Sequence, residues 1–294
     1  MAKNPNPITN ISFELDELTI GGLTSGHNNQ PIVLCLHGWL DNAASFIPLI
    51  EQFEQFEHHQ IIAIDWPGHG HSSHRSLNAH YHFIDYVYDL VLLFEHQNWP
   101  AIDIVAHSMG GMVASAFAAA FPEKVKSLTL IDSIGFISAS SAQTTEQLRN
   151  GMLSRLKLKD KRKPIHPTMD SAIKARQQVS DLTYKDAKLL VERGCHSVQN
   201  GFTWRADSRL RNTSPYRLTL SQAQQLIKDI QTPVQLIYGD KGINLVEHGL
   251  AQFAPLFAKF EAYKLSGGHH IHMEQAKETA KLIESFLKNT DDFA

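Results

Sequence analysis

Cysteine is scarce in this chain. Of 294 residues only Cys35 and Cys195 are cysteine, and they form no CxxC and no Cys/His pair at metal-ligand spacing. A disulfide framework and a structural zinc therefore have no support, and no metal is expected. Cys35 lies inside an apolar run and reads as a buried free thiol, which fits a reducing compartment. Long hydrophobic runs are lacking too. No stretch approaches the roughly 20 apolar residues of a membrane-spanning helix, and the opening MAKNPNPITN has no apolar h-region of a secretory signal. The expectation is a soluble, cytoplasmic protein that does not engage a membrane. Charge of one sign is also missing: 27 Lys and Arg stand against 30 Asp and Glu, a net −3 with His neutral. Such a balance supplies no field for nucleic acid or an anionic bilayer. The one basic run, Lys157-Leu158-Lys159-Asp160-Lys161-Arg162-Lys163, reads as a solvated loop or helix face. The 17 histidines include no H-E-x-x-H, and no internal repeat or low-complexity tract occurs.

What the chain does have is enough apolar material for a core, 43% hydrophobic residues against 19% charged, which excludes global disorder. Its length suits one α/β sheet domain carrying an insertion. Short apolar runs punctuate it: Ile11 to Ile20, broken by Gly21-Gly22, then Pro31 to Leu36, Ile61 to Ile64, Ile102 to Val105, Val125 to Ile131, Val234 to Tyr238 and Lys259 to Leu265. Helical patterns lie between them, over about 42–56, 83–95, 111–121, 221–228, 247–256 and 274–287. This alternation predicts an α/β fold, a mostly parallel sheet flanked by helices on both faces. Right-handed crossovers then collect the C-terminal strand ends on one edge, where open α/β sheets bind ligands. The alternation fails over 136–220, which is more polar, carries loop signals such as His166-Pro167 and Ser214-Pro215, and shows no strand-like run. The reading is a helical cap over 136–220, inserted after the sixth strand (Val125 to Ile131), with 1–135 and 221–294 forming the core domain.

The chemistry-bearing residues follow the strand ends. Ser108 sits in strand–Ala106-His107-Ser108-Met109-Gly110–helix, the context of a nucleophile elbow that lifts a serine hydroxyl above the sheet edge. Small residues are needed two before and two after it; Gly110 supplies one and Ala106 takes the other place. Without that context the serine would be an ordinary helix cap. A hydroxyl needs a base within hydrogen-bond reach. Gly267-Gly268-His269-His270-Ile271-His272 follows the last strand, and His269, directly after the Gly pair, is the chosen base; His270 and His272 read as loop or packing residues. A carboxylate must orient the base. Asp132, ending the sixth strand, and Asp240, after the seventh, both qualify, and each could instead be a turn residue. The backbone N–H groups of Met109 and Trp39 are the expected oxyanion hole.

Taken together, His37-Gly38-Trp39-Leu40-Asp41-Asn42, Asp65-x-Pro67-Gly68-His69-Gly70-x-Ser72, the Ser108 elbow and Gly268-His269-x-x-His272-x-Glu274 resemble the α/β-hydrolase superfamily over nearly the whole chain. The stretch from Arg193-Gly194 through Gly201-Phe202-Thr203-Trp204-Arg205-Ala206-Asp207-Ser208-Arg209-Leu210-Arg211 resembles its serine hydrolase-like branch. In the superfamily the catalytic His directly follows Gly, which implies His269. The usual acid stands three residues after Gly in Gly-x-x-Asp, but that position here is Gly242. Some members take the acid from the end of the sixth strand, so the resemblance favours Asp132, with Asp240 as the alternative. A serine at the elbow implies an acyl-enzyme, and the expected activity is a carboxylesterase on small or medium esters, needing no cofactor. A non-catalytic ligand-binding or sensor protein on the same fold, and a cofactor-free C–C hydrolase, lyase or perhydrolase, are the alternative classes.

Overall fold

The computed structural model describes residues 7–53, 58–158 and 162–291. Residues 1–6, the middle of the basic run (159–161) and the last positions of the helix expected over 42–56 lie outside the described residues. In chain order the elements are β1 (Thr9–Glu14), β2 (Thr19–Ser25), β3 (Ile32–Leu36), α1 (Ile47–Ile50), β4 (Gln60–Ile64), α2 (Phe83–Gln97), β5 (Ile102–His107), α3 (Met109–Ala120) and β6 (Val125–Ile131). There follow α4 (Thr144–Leu158), α5 (Met169–Gln177), α6 (Tyr184–Gly194), β7 (Cys195–Val198), β8 (Gly201–Trp204), α7 (Leu220–Lys228), β9 (Val234–Gly239), α8 (Asn244–Phe253), β10 (Phe260–Leu265), α9 (Ile271–Glu274) and α10 (Ala276–Asp291).

Eight strands form one sheet in the order β1-β2-β4-β3-β5-β6-β9-β10. The run from β4 through β10 is parallel, and β1 and β2 join antiparallel at one edge. The strand period of two divides the apolar residues between two cores. Leu34, Leu36, Ile62, Ile64, Ile104 and Ala106 face α2, α3, α7 and α8. Val33, Cys35, Ile61, Ala63, Val105, Ile131 and Ile237 face the layer of α1, α9 and α10. Both faces are therefore dry, and the central strands read as unbroken apolar runs for that reason.

Five expectations are corrected. The first run is a hairpin rather than one strand: Leu15 and Leu18 exchange backbone hydrogen bonds of 2.8 and 3.3 Å and reverse the chain. Gly21-Gly22 does not end a strand but lies inside β2, with Gly22 paired to Ile64. The helix expected over 42–56 is a 3₁₀ turn, Ala43–Phe46, capped by the Asn42 side chain, followed by the single turn of α1. The segment 136–220 is not purely helical, because β7 and β8 pair there as a hairpin. Its strands are four residues each and half polar, too short to register as a period, although Asn200-Gly201, with φ of 73° and 141°, is a typical hairpin signal. The last helical pattern is split as well, since Gln275 leaves helical geometry between α9 and α10.

The segment between β6 and α7 packs around Ala172, Ile173, Leu182, Ala187, Leu190, Val191 and Cys195, and Met273 of α9 joins that cluster. Its two ends meet where Ser138 bridges Leu218. Among the described residues no helix is long and apolar enough to cross a membrane.

Candidate active site

Ser108 is the single residue between β5 and α3. Its φ of 51° and ψ of −118° lie outside the regions a side-chain-bearing residue normally adopts, a strain that persists only where the surroundings over-determine it. Here its N–H donates to the Ile131 carbonyl at 3.0 Å, and its own carbonyl accepts from Gly111 N–H at 2.9 Å and from Ser133 Oγ at 2.8 Å. Gly110 is required beneath the bend, because a Cβ there would meet the Leu36 carbonyl oxygen at 2.4 Å. Ala106 is fully buried and paired to Leu36 and Leu130 on either side, so its methyl is accommodated.

The loop after β10 brings His269 across 161 residues of sequence to this hydroxyl: Ser108 Oγ donates to Nε2 at 3.0 Å. On the other side of the ring, Nδ1 donates to Asp132 Oδ2 at 2.6 Å. Asp132 ends β6 in the left-handed region and is fully buried. Its carboxylate also accepts the N–H of Gly239 at 3.2 Å and of Ile243 at 3.3 Å. This pattern places the imidazole proton on Nδ1 and leaves Nε2 as the acceptor that a general base requires.

Of the two candidate acids, the structure brings only Asp132 to the histidine. Asp240 is exposed and turns to accept the Gly267 N–H at 2.9 Å. Gly242 explains the arrangement: a Cβ at that position would lie 2.3 Å from Asp132 Oδ1. The site where the superfamily usually places its acid is filled by the carboxylate arriving from β6.

Met109 contributes the first N–H of α3, one of those a helix leaves without an intrahelical partner. Gly38 packs against Ser108: a Cβ there would fall 3.1 Å from Ser108 Cβ. The Trp39 ring turns toward the 136–220 segment, donating from Nε1 to the Leu210 carbonyl at 3.0 Å.

The turn around Asp65 to Ser72, which carries no reacting group, braces this loop. Asp65 accepts the Ala43 N–H at 2.7 Å and pairs with Arg193 at 2.7 Å. Buried His69 takes the Leu40 N–H on Nε2 at 3.2 Å. Burial drives the His69 pKa down to about 3, which keeps that nitrogen an acceptor.

The other histidines near the site have separate roles. His107 Nε2 donates to the His269 carbonyl at 3.0 Å. His272 is a packing residue, fully buried 4.4 Å from the His107 ring and 5.2 Å from Phe46, and burial lowers its pKa to about 3. His270 is not a simple packing residue: Nδ1 meets Asp181 Oδ1 at 2.7 Å and Nε2 meets Asp41 Oδ2 at 3.2 Å. Arg176 completes the group on Asp41 Oδ1 at 2.7 Å. Burial opposes a charge on His270, but the two carboxylates prevail and hold its pKa up to about 9. Neither Arg176 nor Asp181 stands out in the sequence. Asp181 reads as any turn aspartate, 88 residues from the loop it holds.

With that geometry in view, the comparisons with known proteins agree on the class. The model of the alpha/beta hydrolase fold family matches residues 31–276, and the chain belongs to that family. Within it the chain is similar to a "Serine hydrolase-like protein" of Danio rerio, 30% identical over 91% of this chain and 84% of that one. It is likewise similar to "Serine hydrolase-like protein 2" of Homo sapiens, 30% identical over 99% and 98%. Among solved structures it superimposes on a hypothetical protein from Pseudomonas aeruginosa PAO1 with a TM-score of 0.89 at 32% identity, covering 95% of this chain and 99% of that one. The chain is a hydrolase of the serine hydrolase-like branch.

Proposed function

We propose that this hydrolase is a carboxylic ester hydrolase that works through an acyl-enzyme on Ser108, with small or medium esters as substrates. The observation that carries the reading is the unbroken chain from Ser108 Oγ through His269 to buried Asp132, with hydrogen bonds of 3.0 and 2.6 Å. As Oγ attacks the ester carbonyl, its proton passes to His269 Nε2. Asp132 stabilises the imidazolium and keeps its tautomer. The carbonyl oxygen becomes an oxyanion facing the Met109 and Trp39 N–H groups, which bind it more tightly than the planar ester. His269 then protonates the leaving alkoxide, and the same nitrogen activates water to release the acid. Each group in this cycle is a side chain or peptide of the chain itself.

Residues 136–220 serve as a cap over this edge in our reading, with 1–135 and 221–294 as the core. Four contacts from the segment support it. Arg176 reaches Asp41, Asp181 reaches the histidine loop, the Leu190 carbonyl accepts Asn42 Nδ2 at 2.8 Å, and the Leu210 carbonyl accepts Trp39 Nε1. Acyl and alcohol selectivity then belongs to the space between cap and strand ends. The test is hydrolysis of a short p-nitrophenyl ester. Ser108→Ala is expected to lower kcat by about 10⁶, and unchanged turnover would refute the assignment.

A further inference from the structure

Alongside the triad runs a second hydrogen-bonded chain that the acyl-transfer chemistry does not use. It starts and ends in the 136–220 segment and crosses two core residues between: Asp181, His270, Asp41, Arg176. Asp181 carries an extra bond. Its Oδ2 accepts the backbone N–H of His269 while its Oδ1 accepts Nδ1–H of His270, so one carboxylate grips two consecutive residues of the histidine loop. Gly268 makes room for the grip, since a Cβ there would meet Asp181 Oδ2. The far side of the same residue is held too, because the His269 carbonyl accepts from His107. The His269 backbone is therefore fixed at both N–H and C=O, and its ring at Nδ1 by Asp132.

We infer that Asp181 is a positioning residue for His269: by holding the His269 N–H and the His270 ring together, it makes seating of the 136–220 segment a condition for aligning the base with Ser108. The inference rests on the acyl-transfer reading above. The far end of the chain extends the same logic to the oxyanion loop. Asp41 lies two residues after Trp39 and is bonded back to the Gly38 carbonyl at 3.2 Å. Asp41 also receives His270 on one oxygen and Arg176 on the other. Both nitrogens of His270 face carboxylates, so the geometry calls for the doubly protonated ring. Two carboxylates then balance one imidazolium and one guanidinium, the condition under which a buried ionic network is sustained. The remaining titratable rings around His270 are His107 at 5.1 Å, His269 at 5.3 Å and His272 at 6.2 Å. Burial opposes the charge on Asp181 as well, yet His270 holds its carboxyl below the usual range.

Displacing a catalytic group by about 1 Å costs on the order of 10²-fold in rate, so release of one of three tethers is expected to cost about 10- to 100-fold. The experiment follows labelling of the full chain by a fluorophosphonate probe, reading both rate constant and endpoint, with kcat and KM on a p-nitrophenyl ester beside it. A folding defect lowers the endpoint; a misaligned base lowers the rate constant. Asp181→Asn, which can accept only one of the two N–H groups, and Asp181→Ala are expected to label about 10-fold slower or more. The endpoint should stay full, and kcat should fall while KM stays within about twofold. Asp181→Glu, retaining the carboxylate, is expected to recover part of the rate. Asn and Ala variants that label at the wild-type rate constant would overturn the inference, as would a Glu variant no faster than Ala. Failure of the underlying reading has a different signature: the wild-type chain itself would not label at Ser108.

Discussion

Replacing Asp132 by asparagine is the perturbation whose outcome the structure specifies most fully. Asp132 is completely buried and accepts three hydrogen bonds, from His269 Nδ1 at 2.6 Å, Gly239 N–H at 3.2 Å and Ile243 N–H at 3.3 Å. An ionised carboxylate can accept all three; an amide cannot. If the asparagine oxygen faces His269 it also keeps the Ile243 N–H, and its NH₂ is thrust against the Gly239 N–H. If the NH₂ faces His269, the imidazole must present a bare Nδ1 and carry its proton on Nε2. In that tautomer it cannot accept from Ser108. The first orientation keeps the tautomer but removes the negative charge that stabilises the imidazolium; the second removes the base outright. Wrong-tautomer losses in catalytic triads run to about 10⁴ in kcat, or about 5 kcal/mol of transition-state stabilisation. Asp240→Asn should behave differently, because Asp240 is exposed and its carboxylate is bonded in the Ser266–Gly267 turn, away from the histidine ring. The assay is kcat/KM on one p-nitrophenyl ester for both variants. The expected pattern is a loss near 10⁴ for Asp132→Asn and only a few-fold change for Asp240→Asn. Retention of more than a tenth of wild-type activity by Asp132→Asn, or equal damage by both, would refute the reasoning.

Two further outcomes follow from the same geometry. Gly242→Ala drives a methyl toward Asp132 Oδ1, 2.3 Å away before relaxation; it is expected to lower kcat at least tenfold and cost about 1–3 kcal/mol of stability by overpacking, read from kinetics and urea midpoints. His270 links stability to alkaline pH. Its pKa is raised from an ordinary value of about 6.5 to about 9, so its contribution is complete below pH about 6.5 and disappears as pH rises through about 9. That contribution is on the order of 3 kcal/mol, and urea midpoints measured from pH 6 to 10 should fall more steeply for the wild-type chain than for His270→Gln. Parallel curves would remove His270 from the account.

How much of this site was legible in the sequence depended on how local each signal is. Ser108 could be found because its strain is encoded nearby: an apolar strand, a small residue on each side and a helix must all fall within a dozen positions. His269 could be found because a Gly pair at the end of the last apolar run leaves few places for a base. The choice between Asp132 and Asp240 could not be closed from chain order alone. It turns on whether a carboxylate from β6 occupies the space beside residue 242, and the missing side chain at Gly242 was the one trace of that. Asp181 left no trace, because its two bonds to the histidine loop depend on how a distant segment folds back. The errors in the fold have the same origin. The turn at Leu15 to Leu18 contains no glycine or proline to announce it, and β7 and β8 are too short for a period of two to stand out. The role of His270 is hidden in the sequence because a histidine's neighbours there say nothing about two carboxylates arriving from elsewhere.

The central claim is that the Ser108 hydroxyl is activated by His269 for attack on a carbonyl. The most direct measurement is mass spectrometry of peptides from the full chain after treatment with a fluorophosphonate probe, with Ser108→Ala and His269→Ala in parallel. One phosphonylated peptide is expected, modified at Ser108, absent from Ser108→Ala and formed far more slowly in His269→Ala. An unmodified Ser108 peptide in the wild-type chain, or labelling that proceeds equally well without His269, would contradict that claim.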